Sequence, residues 1–383
     1  MPYSRFLIAI LALGAAAGVY AQSGSDPVAQ LDRKVRDGKA QLKFDEYDGY
    51  LRSVLAALNI PVESQMAVFS KTSVQAMRIE PERPRVLYFN DSTIVGWVPG
   101  GFIEVATQDP HEGMKFYALD QRQWVHDERM EKPAAAREPL FERRQDCLHC
   151  HTSASTLVTS VSPTPDGVPV FHLGSLNTDQ RTPFEKLWGG WYVTGKSGAA
   201  HHMGNVTVTD PQHPEPLVSE QLDSLEGRVD TRIYPAPYSD IAALMVFEHQ
   251  MHMMNLLSHA TPAAEVVDYM LFLNEPALKD RVTGTSGFTE KFAARGPFDS
   301  KGRSLRQLDL KTRTMRYPCS YMIYSAAFDA LPDATREAIY KQMWRILSGD
   351  VKSRLALADR RNVVEILRAT KPGLPAYFQT VNR

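Results

Sequence analysis

Apolar residues recur at helical spacing in several stretches of the chain. Within residues 27–59, Leu51, Leu55 and Leu58 fall on one face and Pro61 follows, so this stretch predicts a helix that ends before the proline. Further helices are predicted over residues 240–259, 263–274, 334–347 and 360–369. The C-terminal part of the chain is therefore expected to be mostly helical.

Residues 85–121 have a different pattern, with short runs of β-branched and aromatic residues. Strands are predicted over residues 86–89, 93–98, 102–106 and 114–119. The runs are separated by Asn90-Asp91, by Pro99-Gly100-Gly101 and by Asp109-Pro110, which are typical of turns. This region predicts a small antiparallel meander.

Two connecting regions complete the pattern. Residues 132–144 are polar and predict a loop that ends in a helical turn. Residues 156–161 and 168–172 predict strands on either side of the turn at Asp166-Gly167. The predicted fold class is mainly α with a small antiparallel β region, an α+β arrangement.

Residues 1–21 have the pattern of an export signal. A positively charged start is followed by an apolar run over residues 6–19 and by Ala21 at the expected cleavage position. The run is shorter than the roughly 20 residues that span a bilayer, and an uncleaved anchor helix is the alternative. We expect cleavage before Gln22 and a periplasmic or secreted mature chain with no transmembrane segment.

The charge balance argues against nucleic acid as a partner. The 383 residues contain 43 Lys and Arg against 44 Asp and Glu, a formal net charge of −1, whereas a nucleic-acid-binding protein needs a basic excess to neutralise phosphates. The hydrophobic fraction of 43% supports a well-filled core. No Pro- or Gly-rich linker divides the chain, so we interpret residues 22–383 as one unit with segments 22–140, 141–239 and 240–383.

The sequence Cys147-Leu148-His149-Cys150-His151 carries the clearest chemical signal. Two thiols at this spacing can form thioether bonds with the two vinyl groups of one haem, and the histidine that follows is then held under the iron as proximal ligand. Haem c is attached outside the cytoplasm, which agrees with the export signal. We therefore expect one covalent haem c on Cys147 and Cys150, with His151 on the iron.

Three other uses of this cysteine pair are weaker alternatives. A thioredoxin-like redox pair would follow a strand in a βαβ pattern, which is not visible around Cys147. A zinc site needs a second Cys/His pair, and a disulfide at this spacing would close a very small loop. The remaining cysteine, Cys319, is interpreted as a buried free thiol.

The sixth iron ligand is expected from the segment 188–205, which is rich in glycine and aromatic residues and suits contact with a flat macrocycle. Met203 is the first candidate and His202 the second. His249, on the predicted helix 240–259, is the runner-up. His252 and His259 lie on the same helix face and are interpreted as hydrogen-bonded histidines of the core.

Several stretches together resemble a group of exported, mono-haem, c-type-cytochrome-like bacterial proteins. The matching stretches are residues 69–73, 84–91, 147–151, 188–195, 202–205, 240–250 and 317–325. They are spread over most of the mature chain, so the resemblance implies one long family unit with a cytochrome c-like haem site inside it. It also implies haem binding and electron transfer.

These observations predict a periplasmic c-type haem protein that exchanges electrons with a redox partner protein or a small-molecule donor or acceptor. Two alternatives stay open. One is a haem enzyme, such as a peroxidase or small-molecule oxidoreductase, with an open distal site lined by Trp188, Trp191 and Tyr192. The other is a haem-based sensor. The length of the chain favours an enzyme, because a pure electron carrier needs far fewer residues.

Overall fold

The computed structural model describes residues 24–122, 140–145, 155–213 and 219–379. Its strands are β1 Met66–Val68, β2 Arg85–Phe89, β3 Thr93–Trp97, β4 Ile103–Asp109, β5 Gly113–Leu119, β6 Phe141–Arg143, β7 Val158–Val161, β8 Ser175–Thr178 and β9 Trp191–Tyr192. Seven of them form one antiparallel sheet in the order β6-β5-β4-β3-β2-β1-β9, and β7 pairs separately with β8.

Eight α-helices lie in the described residues. They are α1 Pro27–Arg36, α2 Leu51–Ala57, α3 Ile241–Ser258, α4 Ala263–Met270, α5 Phe288–Ala294, α6 Ala326–Asp329, α7 Asp333–Ser348 and α8 Leu357–Thr370. The predicted helices over residues 240–259, 263–274, 334–347 and 360–369 are confirmed as α3, α4, α7 and α8.

The predicted fold class, mainly α with a small antiparallel β region around a cytochrome c-like haem site, is wrong. The chain has an α+β fold in which a seven-stranded antiparallel sheet is a full layer beside the helices. No cytochrome c-like haem site is seen in the residues that the structure describes. The sheet is larger than predicted because β1, β6 and β9 are only two or three residues long, too short for an alternating pattern to reveal them.

The predicted meander over residues 85–121 is confirmed as the four strands β2 to β5. Consecutive strands pair antiparallel, for example Tyr88 with Val95 and Val105 with Tyr117. Side chains of β2 alternate between two apolar clusters: Val86 packs on the face that α1 and α2 cover, and Leu87 packs on the face of α3. Both faces of the sheet are therefore buried.

Helix α3 lies at the centre of the larger cluster. All of its 18 residues are buried except His252, Asn255 and Ser258. Its first turn is capped by Asp240, which accepts the backbone N–H groups of Ala242 and Ala243. Because the helix is apolar on nearly every side, it must be enclosed by other elements.

Three local predictions were wrong. Residues 27–59 form two helices, since residues 37–50 are not helical, and Gly38 and Gly49 within them have φ angles of 67° and 63°. The strand after residue 161 is β8 and not residues 168–172, because residues 171–173 form a 3₁₀ turn. The helical turn expected at the end of residues 132–144 is replaced by β6 on the sheet edge.

Residues from all three predicted segments share the larger apolar cluster, for example Met66, Val158 and Val246. This mixing agrees with one unit over residues 22–383, which stays a prediction. Among the described helices, none has the length and apolar character needed to cross a membrane.

Candidate functional site: the surroundings of the Cys-x-x-Cys-His segment

The residues that carry the sequence signal, Cys147, Cys150 and His151, lie outside the described residues. The structure describes the chain up to residue 145 and again from Ser155. The contacts made on these two sides define where the segment begins and ends.

The chain before the segment is fixed to the sheet edge. Strand β6 pairs with β5, and the backbone N–H of Phe141 donates to Oδ1 of Asp32 on α1 at 3.0 Å. One residue past β6, the N–H of Arg144 donates to the carbonyl of Phe116 at 2.9 Å. The segment therefore leaves from a strand that is paired along its length.

The chain after the segment is held on α3 by Asn255. Oδ1 of Asn255 accepts the N–H of Thr156 at 2.8 Å, and Nδ2 of Asn255 donates to the carbonyl of Thr156 at 2.7 Å. The hydroxyl of Thr156 also donates to Oδ1 of Asn255 at 3.0 Å. This pair, the Thr156–Asn255 clamp, fixes both backbone groups of one residue to one side chain.

The histidine directly after α3 makes a second contact with the chain that follows the segment. Nε2 of His259 lies 3.2 Å from the hydroxyl of Ser155. His252 and Asn255 lie three positions apart on one face of α3, and His259 follows directly after the end of the helix. His252 and His259 could be picked out from the sequence. Asn255 could not, because its only signal is that it is a polar residue in an apolar helix.

Met203 lies against the strand that follows the segment. Its backbone N–H donates to the carbonyl of Leu187 at 2.9 Å, and its Sδ accepts a hydrogen bond from the hydroxyl of Ser160 at 3.7 Å. The side chain is half-buried. Ser160 is on β7, so the structure brings Met203 to the same short strand that Thr156 leads into.

His202 is packed into the protein. Its ring contacts Trp188 and Phe184 edge-on, with centroid distances of 5.3 and 6.0 Å. Nδ1 accepts the N–H of Gly204 at 3.0 Å. Burial lowers the pKa of His202 to about 4, so the imidazole is neutral at physiological pH.

The glycine-rich segment 188–205 packs on protein. The carbonyl of Gly190 accepts the N–H groups of Phe69 and Ser70, both at 3.0 Å, and the N–H of Gly189 donates to the hydroxyl of Ser160 at 2.8 Å. A Cβ on Gly189 would come within 2.2 Å of the backbone carbonyl oxygen of Val161, and one on Gly190 within 2.5 Å of the Ser70 hydroxyl. The glycines thus serve a close approach between backbone segments, which also explains strand β9.

His249 has a partner at each ring nitrogen. Nε2 of Gln180 donates to the carbonyl of Tyr269 at 2.7 Å, which turns Oε1 of Gln180 toward Nδ1 of His249. Nδ1 therefore carries the proton, and Nε2 accepts the hydroxyl of Ser320 at 2.6 Å. Burial lowers the pKa of His249 to about 3. These contacts favour a hydrogen-bonded core histidine over the predicted runner-up ligand.

The Ser320–His249–Gln180 chain has the order of groups found in hydrolases that use a serine nucleophile. Ser320 and His249 are fully buried, and the hydroxyl of Ser320 also accepts the N–H of Met322. An enclosed and hydrogen-bonded serine cannot reach a substrate. The arrangement therefore stabilises the core.

Two other buried groups belong to the same region. Burial raises the pKa of Glu248 to about 8, against the opposing effect of the hydrogen bond that Thr178 donates to Oε1 at 2.8 Å. Cys319 is a fully buried free thiol, as predicted, and burial raises its pKa well above the usual range. It is therefore unreactive in the folded protein.

Within the described part of the chain, no group of three or more His, Cys, Asp or Glu side chains is arranged to hold a metal ion. Comparison with protein-family models, curated proteins and solved structures gave no match. The resemblance to exported mono-haem c-type proteins therefore stays a prediction.

Replacing Asn255 by alanine should destabilise the chain around the segment. Asn255→Ala leaves the buried backbone groups of Thr156 without partners, which costs about 1–3 kcal/mol in the free energy of unfolding. Urea denaturation measures this loss. Asn177→Ala is the matched control, because Asn177 makes an exposed contact with Thr159, and equal effects of the two changes would contradict the clamp.

The neutral His249 should make stability depend on pH. Its pKa falls from 6.5 in the unfolded chain to about 3 in the folded chain, so only the unfolded chain takes up a proton as the pH decreases. This difference removes about 2 kcal/mol of stability between about pH 8 and pH 5.

Between about pH 8 and pH 5, the His249→Gln variant should lose about 2 kcal/mol less stability than the wild type loses. Urea denaturation at both pH values measures the difference. His213→Gln, at an exposed histidine, is the control. A wild-type pH dependence retained in His249→Gln would show that His249 is not the buried neutral group described.

Proposed function

We propose that the chain is an exported c-type haem protein that transfers electrons through one covalently bound haem. Cys147 and Cys150 would form the two thioether bonds, and His151 would bind the iron. The export signal over residues 1–21 would deliver the chain to the periplasm, where haem c is attached. Its partner would be a redox protein or a small-molecule electron donor or acceptor.

The Thr156–Asn255 clamp is the observation that best supports this proposal beyond the motif. Both sides of the segment are hydrogen-bonded to rigid elements, β5 before it and α3 after it. An electron carrier works best when its cofactor is held in one position, because reorganisation then costs little. The chain on each side is also accessible: Arg143 is exposed, and Leu157 is 46% exposed.

The surroundings fit a haem in a further respect. Leu157 is a large apolar side chain at the surface, six residues after His151, and it would be available to contact a bound macrocycle. A bound haem c would supply one-electron redox chemistry. The residues of this chain would hold the group in place and keep water from its covered face.

Met203 stays the first candidate for the sixth position. Its sulfur has one weak hydrogen bond, from Ser160, which is easily exchanged for a stronger interaction. His202 is less suited, because its Nδ1 accepts a backbone N–H and its ring is packed between Trp188 and Phe184.

A haem enzyme with an open distal site is the second candidate function, and a haem-based sensor needs the same open site. The hydrogen bonds of His249 favour both, because its two ring nitrogens already have Gln180 and Ser320 as partners and neither is left to bind the iron. If the sulfur of Met203 also keeps its hydrogen bond from Ser160, the sixth position is open to peroxide or a small gas.

Covalent attachment is the first test of the proposal. Expression with export and haem-maturation machinery should give a red protein that starts near Gln22 and keeps its haem through acid–acetone extraction. The double change Cys147→Ser/Cys150→Ser should abolish covalent haem, because thioethers need both thiols. Haem that acid–acetone removes from the wild type would contradict the proposal.

The optical spectrum separates the two candidate functions. A low-spin spectrum that carbon monoxide does not change supports the electron carrier, and a high-spin, reactive spectrum supports the enzyme or sensor. Met203→Ala should remove the weak far-red charge-transfer band and lower the reduction potential, since a thioether favours ferrous iron. Met77→Ala is the control, because Met77 is 96% exposed. An unchanged spectrum in Met203→Ala would exclude Met203 as ligand.

A further inference from the structure

A cavity of about 190 Å³ lies at the N-terminal end of α3. The stretch between α4 and α5, the beginning of α5 and the turn around Leu310 form its wall. Asp240 and Asn255 are separated by about 22 Å along the helix, at 1.5 Å per residue. The cavity is therefore remote from the Thr156–Asn255 clamp, and what it binds does not depend on the haem proposal.

Asp240 makes the floor of this cavity rigid. One of its oxygens caps α3, and the other accepts the N–H groups of Thr285 and Ser286 at 2.7 and 2.8 Å and the hydroxyl of Ser286 at 2.9 Å. A Cβ on Gly284 would come within 2.5 Å of this carboxylate. Asp240 is thus saturated by protein donors and shapes the wall.

Two opposite charges line the same cavity without pairing. Arg281 and Glu290 both contribute to its wall, yet in the described part of the chain neither side chain makes an ion pair or a hydrogen bond. Elsewhere this protein pairs such groups locally, as Arg232 does with Asp230 and Arg181 with Asp179. Both side chains are exposed, and neither charge is neutralised by a partner among the described residues.

The rest of the wall is polar and locally strained. Thr283 and Thr289 line the cavity, and their hydroxyls have no hydrogen-bond partner among the described residues. Leu310 has a φ of 53°, which is costly for a leucine, and its turn positions Asp309 at the cavity. Oδ2 of Asp309 accepts the N–H of Thr312 at 3.0 Å and also the Thr312 hydroxyl, and Oδ1 has no hydrogen-bond partner among the described residues.

The size and charges of the cavity select a class of ligand. Liquid water occupies about 30 Å³ per molecule, so the cavity holds the equivalent of about six waters and admits only a small molecule. The wall carries the guanidinium of Arg281 and the carboxylates of Glu290 and Asp309, so a molecule with one positive and one negative end satisfies groups of both signs, which a singly charged or neutral molecule does not. We propose that this cavity binds a small α-amino acid, with its carboxylate on Arg281 and its ammonium group on Glu290.

Isothermal titration calorimetry with L-serine tests the proposal on the full chain. Lactate, ethanolamine and glycerol are the comparison probes: lactate lacks the ammonium group, ethanolamine lacks the carboxylate, and glycerol lacks both. L-serine should bind at millimolar or lower concentration and at least about tenfold more tightly than each of the three, because each probe loses at least one charge-assisted contact.

Arg281→Gln and Glu290→Gln should each weaken L-serine binding about tenfold or more. Arg232→Gln should leave binding unchanged, since Arg232 is an exposed residue outside the cavity. Both cavity residues are exposed, so the variants should fold, and circular dichroism checks this. The proposal is overturned if L-serine does not bind, if ethanolamine or lactate binds as tightly, or if neither cavity variant weakens binding.

Discussion

The enclosure of helix α3 is the constraint on which the rest of the structure depends. A helix that is apolar on nearly every side is stable only when other elements cover it, and here the sheet, α4, α5 and α6 do so. Its few inward polar groups must then find partners inside, because each buried group without one costs about 1–3 kcal/mol. The partners are Thr178 for Glu248, Gln180 and Ser320 for His249, and Asn90 and Tyr321 for Gln250.

The two ends of α3 organise separate regions of the surface. At the N-terminal end, the carboxylate of Asp240 caps the helix and holds the stretch that forms one wall of the 190 Å³ cavity. At the C-terminal end, Asn255 and His259 hold the chain that follows the Cys-x-x-Cys-His segment. One helix therefore contacts both the cavity wall and the described chain that follows the Cys-x-x-Cys-His segment.

Sequence patterns predicted the elements that carry their own signal. Helix α3 is long and capped by Asp240, and the strands β2 to β5 are separated by turn residues, so both could be located from the sequence. Strands β1, β6 and β9 could not, because two or three residues show no period and their pairing depends on distant parts of the chain. The hydrogen bond between His249 and Gln180 could not be predicted either, because the two residues lie 69 positions apart in the sequence.

The central claim is that one haem is bonded to Cys147 and Cys150. Peptide mass mapping of the exported protein after digestion tests it most directly, because thioether bonds survive proteolysis. The account predicts one peptide containing residues 147–151 with the added mass of one haem and no free thiol at either cysteine. Recovery of that peptide without haem, from protein made with active maturation machinery, would contradict it.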